Sequence, residues 1–312
     1  MNITSTKKAI TTLQVFGTIT LSTAIEMYFV AKRAQRLSEH TLSDYKNTFK
    51  KFSRFVGENC EIDKIDPSII ASFLAESDGL SKKTTLNYHT GLSSLWNYMV
   101  ENSFTERNIV RVVKPPRPDV RQILPFVRQD IVALLDDVKD RQFQIRNRAI
   151  ILLLLDCGLR ASELCSLKVK DVDLIHQRVL IKGKGGKERS IPFCNPTKEA
   201  LQTYFTTRGF SYLKNRYLEV FITVYENVLN RSALRELLVV IGFRAGVLNC
   251  HPHRFRHTFA IQFLRNGGNI YTLQALLGHT SLDMVKKYLA IAQTDLDRDH
   301  EKASPVKGWG LQ

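Results

Sequence analysis

The chain has 312 residues, 44% of them hydrophobic, which suffices for two domain cores and excludes both a short peptide scaffold and a disordered chain. Its 45 Lys plus Arg against 30 Asp plus Glu leave a net charge of +15, which points to a polyanionic partner, nucleic acid first. The excess is shared: 17 cations face 12 anions before residue 122, and 28 face 18 from there on, so two basic faces on one long anion fit better than a single basic tail.

Five cysteines (Cys60, Cys157, Cys165, Cys194, Cys250) are odd in number, scattered and free of any CxxC pair, so neither a disulfide nor a zinc site is expected. The longest wholly apolar run, Ala149 to Leu155, is far short of the ~20 residues of a membrane helix, and no membrane contact is expected. Residues 7–24 loosely imitate a signal peptide, but their threonines and the polyanion-binding composition favour a cytoplasmic chain.

Residues 1–20 form an N-terminal segment, and from there to 113 the pattern is helical. Thr23 with Glu26 reads as a capping box ahead of Ile25, Tyr28 and Phe29, and Thr41 with Asp44 as a looser one. The helix that follows aligns Leu42, Tyr45, Phe49, Phe52 and Val56 on one face and Lys46, Lys50 and Arg54 on another. A third helix should start at Asp66-Pro67 and bury Ile69, Ile70, Phe73 and Leu74. A fourth, with Lys82 and Lys83 at its start, should bury Leu86, Leu92, Leu95, Trp96 and Met99. The expected domain, 21–113, is a helical bundle that clamps DNA; each basic face fits a solvated surface as well as a phosphate contact, and only their number favours contact. Residues 114–124 read as a linker, in a stretch whose four prolines are Pro115, Pro116, Pro118 and, just after it, Pro125.

Residues 125–292 mix helix and strand, so the expected fold class is mostly α: a helical bundle plus a mixed α/β domain carrying a small β-hairpin sheet. Ile131, Leu134, Leu135 and Val138 are helical, Arg146 to Cys157 is a buried helix, and Gly158 stops it. Across 178–193 the period changes to two: Val179 and Ile181 alternate before a glycine turn, Ile191 and Phe193 after it, which predicts a hairpin. Its tip carries Lys182, Lys184, Lys187 and Arg189. GKGGK lacks the spacing and hydroxyl of a phosphate-binding nucleotide loop, so no nucleotide site is expected. In HPHRFRHTFA, 251–260, His253, Arg256 and His257 share a helical face while Phe255, Phe259 and Phe263 pack opposite. His253 and His257 have a zinc-type spacing but lack the glutamate of HExxH, and metal is not expected. His279 follows a helix-ending glycine, and Tyr288, beside Val285 and Leu289, reads from periodicity alone as a core aromatic more readily than as a nucleophile.

GLRASEL (158–164), GKGGKER (183–189), HRFRH (253–257), LGH (277–279) and Tyr288 together resemble, in order and spacing, the motifs of the tyrosine recombinase family, which includes phage integrases and Xer recombinases. The resemblance spans about residues 20–291 and nears the Xer-like site-specific recombinases, since few residues precede the first helix. It implies one catalytic set: Arg160, Lys184, His253, Arg256, His279 and Tyr288. It also implies a homo-oligomer, four protomers on double-stranded DNA with inverted half-sites, to which the tail 293–312 could contribute by reaching a neighbour or could simply fray.

That set makes chemical sense. Guanidiniums meet non-bridging phosphate oxygens with paired donors, so Arg160 and Arg256 form a clamp. A phenol of pKa ~10 needs a base, for which His253 is suited, and His279 donates a further hydrogen bond. The resemblance gives Lys184 the protonation of the departing oxygen. Glu163, one turn from Arg160, either orients the clamp or is a surface charge, and His257 stands behind the set. Lys182, Lys187 and Arg189, with the helical cations, are phosphate-contact candidates. A type IB topoisomerase and a relative without catalysis are the competing readings; the helical first domain and the completeness of the set argue against them.

Overall fold

The structure, a computed structural model, describes residues 19–76, 79–115, 117, 124–139, 143–183, 188–212, 218–223, 225, 227–278, 282, 285–286, 288 and 304–308. The chain divides into two compact units, Met1–Arg121 and Gln122–Gln312.

The first unit is helical: α1 (Leu21–Ala34), α2 (Glu39–Val56), α3 (Pro67–Ala75) and α4 (Lys82–Glu101). Two helix starts differ from the sequence reading. Thr20, not Thr23, caps α1, because Thr20 Oγ1 accepts the Thr23 N–H, and Ser38 rather than Thr41 caps α2 in the same way. In both cases the expected cap lies one turn inside the helix, where its own amide is one of the orphan donors. Asp66 does cap α3, its carboxylate accepting from Ser68 N and Ile69 N with Pro67 behind it.

Aromatic side chains fill this unit. Tyr28 makes edge contacts with Tyr45, Phe49 and Tyr98 and shares a hydrogen bond with Ser94, while Phe52 meets Phe73 and Trp96 edge-on. His89 is buried in α4 and its Nε2 bridges the carbonyls of Val110 and Val113, pinning the segment that leaves the bundle. Lys46, Lys50, Arg54, Lys82 and Lys83 are all exposed.

In the second unit α5 (Arg128–Asp137) and α6 (Gln144–Cys157) precede a short α7 (Ala161–Cys165). A three-stranded antiparallel sheet follows: β1 (Val172–Asp173), β2 (Arg178–Lys182) and β3 (Glu188–Pro192), in that spatial order. Then come α8 (Asn195–Tyr212), α9 (Arg231–Arg244), α10 (Pro252–Arg265), α11 (Ile270–Leu277) and, after a helical pair of residues and Tyr288, the short α12 (Pro305–Gly308). The hairpin pairs Val179 with Ile191 and Ile181 with Arg189. The bulk of the core gathers around α6, which is buried nearly all round from Ala149 to Cys157 and packs against α8 and α10. No helix among the described residues is long and apolar enough to cross a membrane.

Candidate active site

Two helix ends build the site. Helix α6 stops at Gly158, whose φ of 58° is a left-handed value that glycine adopts without strain. A Cβ there would lie 2.4 Å from the Phe259 ring, so α6 can meet α10 this closely only without a side chain. Helix α11 stops in the same way at Gly278, φ 62°. The last carbonyls of a helix have no partner within it and carry its negative dipole end. Here they are taken by arginines.

Three successive carbonyls at the end of α11 each receive a different guanidinium. Arg189 Nε donates to Leu276 O at 2.7 Å, Arg256 Nη2 to Leu277 O at 2.7 Å and Arg160 Nη2 to Gly278 O at 3.2 Å. Arg256 also donates through Nη1 to Gly158 O at 2.8 Å, so it joins both helix ends. On the other side of the arginines lies the carboxylate of Glu163. Its Oε1 accepts from Arg160 Nη1 (2.7 Å) and Arg189 Nη1 (3.0 Å), and its Oε2 from the Arg160 backbone N–H (2.8 Å) and Arg189 Nη2 (2.9 Å). Arg256 Nη1 stands 3.9 Å from Oε2.

This arrangement sorts the cations. Arg256 is buried, and burial together with the neighbouring Arg160 pushes its pKa down to about 10, which still leaves it charged at neutral pH. Arg160 is the outward member, its side chain 41% exposed, while Arg189 is 14% exposed. Glu163 is buried among them. Burial alone would raise its pKa, but hydrogen bonds from Arg189 and Arg160 outweigh that and hold the carboxyl below the usual range.

Helix α10 presents the imidazoles. Its N-cap is His251, whose Nδ1 accepts the Arg254 N–H, and Pro252 fills the first turn. From there Arg256 points inward, while His253 and His257 lie one turn apart with rings 5.9 Å apart and nearly parallel. Burial, then the charge of Arg256, lowers the pKa of His253; burial, then His253, lowers that of His257. Both therefore sit as neutral imidazoles at neutral pH. Tyr288 is buried against Ala260, Ile261, Leu264, Leu273, Leu277 and Val285, with its ring 4.9 Å from that of His257 in an edge contact. Burial raises its pKa, and Arg256 and Arg160 pull it the other way. It is thus a core aromatic whose ring sits beside His257.

The structure therefore brings Arg160, Glu163, His253, Arg256, His257 and Tyr288 together. Lys184, Lys187 and His279 lie outside the described residues. Lys182 stands exposed beside Glu188, 3.4 Å away, and with Lys168 and Lys170 lines a cleft of about 240 Å³ that reaches Glu163. Arg189 departs from its reading as a surface phosphate contact. In the β2–β3 register it faces the same side as Ile181, Val179 and Ile191, so its guanidinium points into the protein, where Glu163 and Leu276 O occupy it. Its parity with Ile191 and Phe193 was the available signal. Asp156, beside the clamp motif, accepts from Cys194 N and Thr197 Oγ1 at the start of α8.

The site is thus suited to receive an anion: guanidiniums gathered at one helix end, neutral imidazoles on α10 and a phenol beside one of them. The profile described as the phage integrase family matches residues 126–294, and that of the phage integrase SAM-like domain matches residues 23–114. Over 279 residues the chain is 31% identical to the tyrosine recombinase XerC of Thermodesulfovibrio yellowstonii, covering 86% of this chain and 91% of the relative. It is 30% identical to XerD of Oceanobacillus iheyensis over 91% of this chain and 99% of the relative. Among solved structures, the Tn1549 transposon integrase in complex with transposon right end DNA has the same fold, with a TM-score of 0.75 at 18% identity over 92% of this chain and 99% of that one. The lambda integrase bound to a core site is similar too, TM-score 0.72 at 17% identity, over 87% and 77% of the two chains.

Proposed function

Because this chain belongs to the phage integrase family, the tyrosine recombinases, we propose that it is a site-specific DNA recombinase that cuts and rejoins strands through a 3′-phosphotyrosine. The observation that carries the reading is the convergence of Arg160 and Arg256 on Glu163 and on the end of α11, with the Tyr288 ring beside that of His257 on α10.

In this reading Arg160, the exposed guanidinium, and Arg256 behind it bind the non-bridging oxygens of the scissile phosphate, where charge develops during attack. The Tyr288 oxygen forms the new bond to phosphorus and passes its proton to His253, whose lowered pKa keeps it neutral and able to accept. The bond from phosphorus to the 5′ oxygen breaks, and Lys184 supplies the proton that this oxygen needs, with His279 hydrogen-bonding the phosphate. The covalent ester conserves the bond energy, so a 5′-hydroxyl from a partner strand can displace Tyr288 with no nucleotide consumed. The exposed cations of α2 and α4 hold the duplex backbone, and Lys182 and Lys187 its stretch near the cut. The expected substrate is a duplex with inverted half-sites bound by a tetramer, in the cytoplasm.

The test uses duplexes selected from a random-sequence pool by the Tyr288→Phe chain, then nicked near the centre to trap the intermediate. The unaltered chain should become covalently attached to the 3′ side of the cut in the presence of EDTA, and the Tyr288→Phe chain should not. An adduct on the Phe variant, or at the 5′ side, overturns the reading.

A further inference from the structure

We infer that Arg189 is a positioning residue for this reaction: it occupies half of Glu163's acceptor sites and thereby leaves Arg160 with donors free to meet a phosphate. The inference rests on the proposed recombinase reading and deepens it at one residue.

A carboxylate offers about four lone-pair sites. Those of Glu163 are all filled, two by Arg189 through its paired Nη atoms and two by Arg160, one through Nη1 and one through the backbone N–H. Arg160 thus touches the carboxylate with a single side-chain nitrogen and a carbonyl with another, although a guanidinium has five N–H donors. Paired two-point contact with a carboxylate is the arrangement guanidiniums favour most. With Arg189 gone, the two vacated sites would draw Arg160 into that arrangement and fold it inward onto Glu163. The outward guanidinium of the clamp would then no longer point at DNA.

Arg189 is suited to the task by its place. It stands on the inward face of β3, opposite Ile181, and is tied by Nε to Leu276 O. Beside it, Gly278 leaves room: a Cβ there would come within 3.1 Å of Nη1. Three of its donors are committed, and its small exposed fraction leaves no fork for a phosphate. One residue thus ties strand β3, the clamp and the end of α11 together.

The experiment compares the unaltered chain with Arg189→Gln and Arg189→Lys on the selected, nicked duplexes, measuring covalent adduct formation at saturating DNA. Arg189→Gln should slow the adduct roughly 10²-fold, the cost of about 1 Å of misplacement. Arg189→Lys should recover little, because one ammonium cannot cover both oxygens. Duplex affinity and its dependence on salt should stay as they were. The pH profile supplies a readout that a merely structural role would not move. In Arg189→Gln the burial of Glu163 loses its main counterweight, its pKa rises, and the adduct rate gains an acid limb at a higher pH than in the unaltered chain. In a Glu163→Gln background, where one of the two acceptor oxygens is replaced by a donor, the further change Arg189→Gln should cost much less than it does in the unaltered chain.

An unchanged rate in Arg189→Gln overturns the inference. So does a rate restored at high DNA concentration with the salt slope reduced by about one, the signature of a lost phosphate contact. Additive effects of Glu163→Gln and Arg189→Gln overturn it as well. If Arg189→Gln does not fold by circular dichroism, Arg189→Lys and the double variant decide on the same criteria. Absence of any adduct with the unaltered chain would fail differently, removing the recombinase reading itself.

Discussion

Both units expose cations, but the second also buries some of them, and there the two differ. In the first, Lys46, Lys50, Arg54, Lys82 and Lys83 stand on exposed helix faces, and the core behind them is aromatic. In the second, Arg146, Arg208 and Arg256 are buried, with donors on the carbonyls of Ile222, Val220, Gly158 and Leu277, and Arg189 is nearly so. Exposed cations cost little stability and act through a screened, long-range field. Buried ones must be held by named acceptors, and a single missing partner is expensive. Exposed cations of either unit therefore suit an interaction that salt can tune, and the buried ones of the second unit fix geometry that salt cannot reach.

The sharpest way to break this contrast is Arg256→Ala. The reading expects covalent adduct formation to fall roughly 10³-fold, and the fold to lose about 3 kcal/mol as the Gly158 and Leu277 carbonyls are left buried without donors; urea melts and trapping assays measure the two. His253→Ala should follow, at roughly 10²-fold in rate with the fold intact. Before that change the rate should fall on acidification only below the ordinary histidine pKa of ~6.5, because the base stays neutral to lower pH in its site; a limb at or above that value would argue for another base.

Glu163→Gln tests the buried side through stability, and about 3 kcal/mol is expected. The sign of its pH dependence is fixed. A carboxyl whose folded pKa is lowered stabilises the fold above its unfolded value, near ~4.3, and that stability drains away as the pH falls through the lower folded value. The gap between the two proteins' melting curves should therefore be full at neutral pH and close only in acid. The smallest effect belongs to the helical unit. Lys46→Ala, Lys50→Ala and Arg54→Ala should each leave stability within about 0.5 kcal/mol while lowering the slope of log affinity against log salt by about one. A large loss of stability there, or an unchanged slope, would erase the distinction between the units.

Much of the fold is legible because its periods are strong. The stripe from Leu42 to Val56 and the alternation of Val179, Ile181, Ile191 and Phe193 each announce their element, and Asp66-Pro67 and Gly158 mark ends that the chain uses. Strand β1 escapes such reading because two residues have no period. The caps at Thr20 and Ser38 escape it because several hydroxyls compete within one turn, and which amide is left unpaired is decided by where the helix docks. The site is legible only as a set of motifs. Arg160 and Arg256 are far apart in sequence, and nothing local says that both meet the end of α11; the resemblance brought them together, and the carbonyls explain how. Arg189 follows the lysines of GKGGKER in sequence, whereas the alternation of β3 turns it to the inward face.

The end of α11 has a mechanical consequence. Its last three carbonyls form adjacent rungs, each engaged by a cation from a different part of the fold: a strand, a helix interior and a helix cap. Successive rungs are turned by about 100°. A slip of that helix by one residue would offer every cation the wrong oxygen at once, so the three contacts together hold α11 to a single axial register.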